Sequence, residues 1–246
     1  MPLVTLSTST DYTLATLDRD HEGNTPLIQA AKDGNCAAVL AHLREAGCIN
    51  RHGMAAIHYA AERGHLQIIE MLLPAEARKV VPIYRFATSV WRNVSALMIA
   101  ASRGHVAAVR LLAPREAGIQ NLSLQTALMR AAIDGRADIV RELRDLEGTT
   151  FDMHGETALM YAAKHGHVDC VRLLLSKERT LKDLNGWSAL VHAAYFGKLE
   201  AAAVLAPYEA MQYGHLALSQ ANRGCGNSQE LQRLITRTRA NACVPV

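Results

Sequence analysis

The stretch that decides the fold, Gly155–His167, reads Gly-Glu-Thr-Ala-Leu-Met-Tyr-Ala-Ala-Lys-His-Gly-His. Its pattern is a small residue, then Ala-Leu, two variable positions, Ala-Ala, two further positions and Gly-His. The pattern recurs along the chain, and the first alanine of each pair falls at residues 30, 60, 100, 131, 162 and 193. Successive differences are 30, 40, 31, 31 and 31, so the 246-residue chain contains six copies of one unit. Self-similarity at such a period indicates a repeat architecture.

Each copy also carries the signals of a short helix followed by a second helix. Most copies place Thr or Ser where a helix N-cap is favoured, and Pro26 stands at a first helical position where its missing N–H costs nothing. A glycine such as Gly166 ends the first helix, because a left-handed residue is favourable there. The second helix shows an apolar stripe at helical spacing, which in the fifth copy comprises Val168, Val171, Leu174 and Leu175. One unit cannot bury its stripe alone, so the copies must stack.

This pattern resembles the ankyrin repeat, whose signature is Thr-Pro-Leu-His-x-Ala-Ala followed by a glycine and a second helix. The second copy, Ile57-His58-Tyr59-Ala60-Ala61, keeps the histidine of that signature. The resemblance covers about residues 20 to 206, and the repeats are similar in style to ankyrin arrays expanded in parasitic protists. It implies an all-α ankyrin-repeat solenoid with six clear helix-turn-helix repeats and a degenerate C-terminal capping repeat. The period runs about two residues short of the usual ankyrin length, which implies short fingers between repeats.

The spacing also predicts how the chain is divided. We expect a single ankyrin-repeat domain over residues 20–240, preceded by a strand-like or disordered lead-in (1–19) and followed by a frayed tail (241–246). The predicted repeats lie near residues 20–49, 50–82, 90–120, 121–151, 152–182, 183–210 and 211–240. The long interval between Ala60 and Ala100 places an insertion within 74–92, which we interpret as an enlarged loop or finger.

Two further patterns concern the fingers and the C-terminal end. In most repeats an Asp or Asn stands three residues before the position of the finger glycine, where its side chain can close a turn by bonding the backbone. These residues are Asp20, Asn50, Asn121, Asp152 and Asp183. After Pro207 the repeat pattern decays, and 213–221 and 228–236 predict the two helices of a seventh, capping repeat. Terminal repeats are atypical because one of their faces meets water.

Composition narrows the classes of function. The net charge is only +3, and the basic residues are spread along the chain, which argues against a nucleic-acid partner. The five cysteines are odd in number and form no Cys-x-x-Cys pair, which argues against a disulfide framework or a zinc site and fits a reducing compartment. No apolar run approaches the roughly 18 to 20 residues of a membrane span, and no secretory leader is expected. We therefore expect a cytoplasmic, monomeric protein without direct membrane insertion.

Several features imitate a chemical site. His165, His167 and Cys170 are close enough in sequence to suggest zinc ligands, but His167 occupies the Gly-His position of the repeat, and the resemblance implies that this imidazole ties loops together by hydrogen bonds. A cysteine among apolar helix residues acts as a small hydrophobic side chain. The segment Arg223–Ser228 resembles an anion-binding glycine loop yet lacks the lysine and the strand of a P-loop, so we interpret it as a turn, with Cys225 an ordinary surface thiol. We expect no catalytic residues, no cofactor and no metal.

The resemblance implies that a partner binds where the stacking template leaves residues variable, on the concave surface of finger tips and first helices. In this sequence the selected partner-binding residues are Met153, His154, Glu156, Lys164, His165, Leu184, Asn185, Trp187, Tyr195, Phe196, Arg51, His52, Met54, Glu62, Arg63, Trp91 and Arg92. Trp187, Tyr195 and Phe196 fall in one repeat, and Trp and Tyr are enriched among interface hot spots. We therefore predict the strongest patch on repeats five and six. The alternative is that Tyr195 and Phe196 fill the joint to the capping repeat.

Three functions remain open at this point. The first is a protein-protein interaction module, acting as a scaffold, adaptor or inhibitor that recognises a protein or peptide. The second is a structural linker to the cytoskeleton or to a membrane protein. The third is a regulatory fragment of an ankyrin-containing kinase, although the chain contains neither a kinase glycine loop nor a catalytic loop.

Overall fold

The computed structural model describes residues 18–86, 89–224 and 228–242, and the description below is confined to them. Their helices are α1 (Pro26–Asp33), α2 (Cys36–His42), α3 (Ala56–Arg63), α4 (Leu66–Glu76), α5 (Ala96–Arg103), α6 (Val106–Glu116), α7 (Ala127–Ile133), α8 (Ala137–Glu147), α9 (Ala158–His165), α10 (Val168–Glu178), α11 (Ala189–Tyr195), α12 (Leu199–Ala221) and α13 (Ser228–Ala242), and a short 3-10 helix (Leu43–Glu45) extends α2. Two strands, β1 (Val80–Arg85) and β2 (Val90–Ser95), lie between α4 and α5. The chain is thus a mostly helical repeat solenoid, as the spacing predicts.

The helix signals of the sequence are confirmed. The Thr157 hydroxyl accepts a hydrogen bond from the Met160 backbone N–H, and α9 ends at Gly166 with φ +81°. The alanine pairs are buried throughout, and adjacent first helices pack side by side, as do adjacent second helices. The turn-closing role of the Asp and Asn residues is confirmed as well. For example, Oδ1 of Asp152 accepts the N–H groups of His154 and Glu156 at 2.9 and 2.8 Å.

The histidines of the Gly-His positions tie neighbouring repeats together, as the resemblance implies. Nε2 of His167 lies 3.0 Å from the carbonyl oxygen of Ile133 in the preceding repeat. Nε2 of His105 lies 3.0 Å from the carbonyl oxygen of Glu62 in the same way. Each imidazole therefore bridges the loop of its own repeat to the first helix of the previous one.

A row of buried glutamates, which the sequence pattern does not predict, lies along the second helices, at or near the helix end in all repeats but the last. It comprises Glu45, Glu76, Glu116, Glu147, Glu178 and Glu209, all at most 3% exposed. In Glu147, Oε2 accepts the N–H of Leu128 at 2.7 Å, and Oε1 accepts the N–H of Gly118 at 3.0 Å. Each of these carboxylates accepts an N–H from the first turn of the first helix in its repeat, and Glu76, Glu116, Glu147 and Glu178 also accept one from the loop after the preceding second helix. The row supplies acceptors to backbone N–H groups that would otherwise be buried without a partner.

The predicted insertion is an extended finger rather than an irregular loop. β1 and β2 pair antiparallel, with Val81 opposite Val94 and Tyr84 opposite Trp91. β2 leads directly into α5, whose N-cap is Ser95. The concentration of β-branched and aromatic residues at Val80, Val81, Ile83 and Tyr84 is the signal that could have predicted a strand here.

The hairpin is anchored on the repeats on both sides. The guanidinium carbon of Arg130, on α7, lies 4.1 Å from the centroid of the Phe86 ring and 5.3 Å from that of Trp91. Arg130 is 2% exposed, and its Nε donates to Asp134 at 2.7 Å. On the other side, the Tyr84 hydroxyl donates to Glu62 at 2.9 Å, and Arg103 also contacts Glu62. Cation–π stacking and paired charges therefore fix the hairpin against α3, α5 and α7.

The C-terminal end differs from the prediction that 213–221 forms a separate first helix of a capping repeat. α12 continues as one helix of 23 residues through Pro207, and α13 packs back against it. Proline also lies two residues before the buried glutamate in α4 and α6, so it does not by itself stop these helices. No glycine or turn sequence directly follows Glu209, and the chain continues in good helix formers. Gly214 then permits close approach, because a Cβ there would lie 2.9 Å from Ile235.

Some predictions fall outside the described residues. They are the lead-in up to residue 17, the turn at 225–227 with Cys225, and the tail from residue 243, which includes Cys243.

Candidate interaction surface

Adjacent finger tips are joined by a repeated backbone hydrogen bond. The residue after the turn-closing Asp or Asn donates its N–H to a carbonyl of the preceding finger. These bonds run from Arg51 to Glu22, Leu122 to Arg92, Met153 to Ser123 and Leu184 to His154, at 3.0 to 3.1 Å. The tips of fingers three to six are thereby held in one continuous row.

The donor residues of the last three bonds form an apolar ridge along this row. Leu122 is 66% exposed, Met153 53% and Leu184 79%. They occupy the same position of three consecutive repeats, so each of three neighbouring fingers presents an equivalent side chain. Single exposed apolar residues are normal on a surface, whereas a contiguous exposed apolar patch marks an interaction site. We call Leu122, Met153 and Leu184 the fingertip ridge.

An aromatic group lies behind the ridge on repeat six. The ring of Trp187 is centred 5.2 Å from that of Tyr195, which in turn lies 5.1 Å from Phe196. Nζ of Lys164, on the neighbouring repeat, lies 5.3 Å from the centre of the Phe196 ring. All four side chains are half-buried, so each offers part of its surface to solvent. Amphipathic aromatic rings with a neighbouring cation are typical of the energetic centre of an interface.

The rings also serve packing, as the alternative prediction for Tyr195 expects, while their role in binding stays a prediction. Trp187 packs against the hydrophobic core, and Tyr195 lies so close to Gly224 that a Cβ there would meet the Tyr195 carbonyl oxygen at 2.1 Å. Tyr195 therefore helps close the joint to the C-terminal helices.

A buried polar cluster beneath Trp187 has the composition of a metal site. One atom each of Glu156, Asp183 and His192 lie within 4.8 Å of one another, and Nδ1 of the buried His192 has no hydrogen-bond partner. Nε2 of His192 contacts Asp183 at 3.1 Å, as Tyr161 contacts Asp152 in the preceding repeat at 2.8 Å. Burial lowers the pKa of His192 despite the two acids. Nζ of Lys164 lies 3.3 Å from Glu156, so the lysine already supplies a positive charge to this cluster. We therefore interpret the cluster as the contact between the turn and the first helix of repeat six.

The zinc-like sequence His165–Cys170 forms no ligand set. Cys170 is fully buried, and burial raises the pKa of its thiol to about 11. His167 is engaged with the Ile133 carbonyl, and the His165 ring stacks on it at 6.1 Å. The structural interpretation of these residues fits their positions.

The predicted partner-binding residues divide by burial. Those exposed are Arg51, His52, Arg63, Arg92, Met153, His154, His165, Leu184 and Asn185, and those half-buried are Glu62, Lys164, Trp187, Tyr195 and Phe196. Met54, Trp91 and Glu156 are buried, which corrects the expectation that their side chains reach a partner directly. Trp91 packs under Arg130 because the third finger is a hairpin and does not follow the template. Met153, His154, Lys164, Leu184, Asn185 and the aromatic group lie on adjoining fingers and first helices, whereas the Arg51 and Arg92 groups lie on earlier fingers.

Leu122 was not among the selected residues, although it belongs to the ridge. Its signal in the sequence is its position directly after Asn121, which matches Met153 after Asp152 and Leu184 after Asp183.

A family model described as ankyrin repeats matches the chain in three copies, over residues 7–82, 87–151 and 146–215, which together cover more than half of it. A search of curated proteins finds no significant match. Among the helices that the structure describes, none combines the length and hydropathy needed to cross a bilayer.

Proposed function

The chain belongs to the ankyrin-repeat family, and on that premise we propose that it is a non-catalytic scaffold, adaptor or inhibitor that binds a partner protein through the fingers of repeats four to six. Ankyrin repeats indicate a protein-protein interaction module. Fold alone does not identify a binding site, so the site must be assigned from particular residues. The proposal includes a single domain over 20–240 and a monomeric, cytoplasmic protein that binds no nucleic acid.

The observation that carries the proposal is the exposed fingertip ridge. Leu122, Met153 and Leu184 could each be polar without loss of packing, since more than half of each side chain is exposed. Covering apolar surface contributes roughly 25 cal/mol per Å². A partner that covers three consecutive finger tips would therefore gain from each of them, and the backbone bonds between fingers limit the ordering that binding requires.

The aromatic group supports the same surface. Trp187 and Phe196 present rigid ring surface behind the ridge, while Lys164 and the exposed His154 and Asn185 offer donors around it. An apolar centre with a polar rim is the usual anatomy of a protein interface. We therefore expect the partner to present an apolar segment flanked by hydrogen-bond acceptors.

Site-specific photo-crosslinking tests this placement. A benzophenone amino acid is introduced at Asn185 or His154, both exposed on the fingers, and at Glu200 or Ala203, both exposed on α12. Irradiation in cells of origin should yield one shared adduct from the two finger positions and none of that mass from the two helix positions. Adducts of equal mass from α12, or none from the fingers, would reject the proposed surface.

A further inference from the structure

A groove lies between finger two and the hairpin, away from the fingertip ridge. This groove has a volume of about 820 Å³. One wall is formed by Ile49, Arg51 and His52 of finger two, and the other by Ile83 and Arg85 of the hairpin. Tyr84, Glu62 and Arg103 form its floor.

The groove lies at a joint between fingers that lacks the repeated backbone bond. The residue that donates this bond between fingers stands six residues after a buried glutamate of the row. These donors are Arg51, Leu122, Met153 and Leu184. The corresponding residue after Glu76 is Pro82, which has no N–H. Its ring instead lies against Gly53, where a Cβ would meet Cδ of Pro82 at 2.4 Å. Among the described fingers, two and three are therefore joined by packing and not by this bond.

The charges of the groove are unbalanced. Glu62 already contacts Arg103 and accepts a hydrogen bond from Tyr84, so this acid is paired with a floor cation. Arg51 and Arg85 are exposed on opposite walls, and no acidic side chain of the described chain pairs with either. Arg51 donates to the His21 carbonyl through Nη1 and keeps further donors available. Two arginines thus line the groove, and neither is paired with a carboxylate of the described residues.

The walls are also apolar between these charges. Ile49 is 50% exposed and Ile83 is 53% exposed, one on each wall. A nucleic acid would offer phosphates to the arginines, but its bases would gain from exposed stacking surfaces rather than from two aliphatic side chains above the paired Glu62 and Arg103. An extended peptide offers both carboxylates and an aliphatic side chain.

We propose that this groove binds a short acidic segment of a partner protein in extended conformation. Its carboxylates pair with Arg51 and Arg85, and one aliphatic side chain between them lies between Ile49 and Ile83. Carboxylate–guanidinium pairs set orientation and the apolar contact supplies burial. The groove is a separate surface from the fingertip ridge, and neither site requires the other.

The test selects random 12-residue peptides that bind the 246-residue wild-type chain, after removal of those that bind the Arg51→Glu/Arg85→Glu double variant. Survivors should be rich in Asp and Glu around one aliphatic residue. Fluorescence anisotropy should show that they bind wild type at least about tenfold more tightly than the variant. A matched control, Arg115→Glu/Arg141→Glu, reverses two charges that are exposed elsewhere and should bind like wild type.

Two further variants and an RNA probe complete the test. Arg85→Ala alone, at an exposed position, should weaken binding even if the double variant proves unstable, and Met153→Asp/Leu184→Asp should leave it unchanged. No survivors, or survivors without acidic residues, would overturn the proposal. A labelled 12-nucleotide RNA that binds wild type more tightly than any selected peptide, and loses binding to the variant, would overturn it in favour of nucleic acid.

Discussion

Oε2 of Glu209 accepts a hydrogen bond of 2.9 Å from the backbone N–H of Leu190 at the start of α11, while its Oε1 is buried without a partner. In Glu147 both carboxylate oxygens are satisfied. The last glutamate of the row is therefore the least compensated for its burial, and burial raises the pKa of Glu209 to about 7.

Glu209→Gln should stabilise the protein at alkaline pH. A raised folded-state pKa means that the folded state binds the extra proton between about pH 4.5 and 7, so wild-type stability falls as pH rises through this window. The amide keeps an acceptor for Leu190 and carries no charge. We expect the free energy of unfolding to rise by about 2 kcal/mol at pH 8 and by less than about 0.5 kcal/mol at pH 4.5, measured by urea denaturation.

Glu147→Gln is the matched control for this change. Its amide nitrogen cannot accept one of the two N–H groups, so we expect a loss of about 1 to 3 kcal/mol at pH 8. Equal effects of the two variants, or an effect of Glu209→Gln that does not depend on pH, would contradict the role assigned to the unpaired oxygen.

Gly53→Ala should destabilise the protein more than Gly186→Ala. Both glycines have positive φ, +76° and +78°, so the backbone penalty is the same, about 1 to 2 kcal/mol. A Cβ at Gly53 also meets Pro82 at 2.4 Å, whereas no atom lies within 4 Å of one at Gly186. Thermal melting should show a further loss of about 1 to 3 kcal/mol at Gly53. Similar losses at both sites would refute close packing of finger two on the hairpin.

His167→Ala should cost about 1 to 2 kcal/mol, because it removes the bond to the Ile133 carbonyl that joins repeats four and five. His165→Ala, two residues away and exposed, should change the free energy of unfolding by less than about 0.5 kcal/mol. Urea denaturation of both variants tests this contrast. If zinc stabilised the wild type and neither variant, the structural interpretation of this pair would be wrong.

Cys170 should resist alkylation while the protein is folded. Its thiol is fully buried with a pKa of about 11, whereas Cys36 is partly exposed. Iodoacetamide at pH 8, followed by peptide mass spectrometry, should label Cys36 at least about tenfold faster. Comparable rates for the two thiols would contradict the burial of Cys170 and indicate that repeat five opens in the folded protein. The labelling rate in urea gives the value for the fully exposed thiol.

The sequence predicts the repeat solenoid well because its signals are local and recur. The alanine pairs, the hydroxyl caps and the glycine after each first helix act within one repeat, so periodicity alone locates them. The buried glutamates were overlooked, although Glu76, Glu116 and Glu147 recur in step with the alanine pairs. A charged residue at a helix end suggests a solvated side chain, and only the tertiary structure reveals the N–H groups that it meets.

Other features depend on contacts between repeats and could not be predicted from a template. Trp91 occupies a template-variable position, yet the hairpin turns it under Arg130, which belongs to the first helix of the following repeat. Likewise, continuation of α12 beyond Pro207 reflects the lack of a turn sequence and the fit of α13 at Gly214.

The most direct measurement of the central claim is affinity capture of the partner from cells by wild type and by Met153→Asp/Leu184→Asp, quantified by mass spectrometry. These exposed side chains test binding more cleanly than Trp187, which also packs against the core. Leu40→Asp/Met211→Asp is the control, since these residues are similarly exposed, at 57% and 62%, on second helices. We predict that all three proteins melt alike and that only the fingertip variant loses a partner retained by the other two. The same partners on all three proteins would contradict the claim that the fingertip ridge is the binding surface.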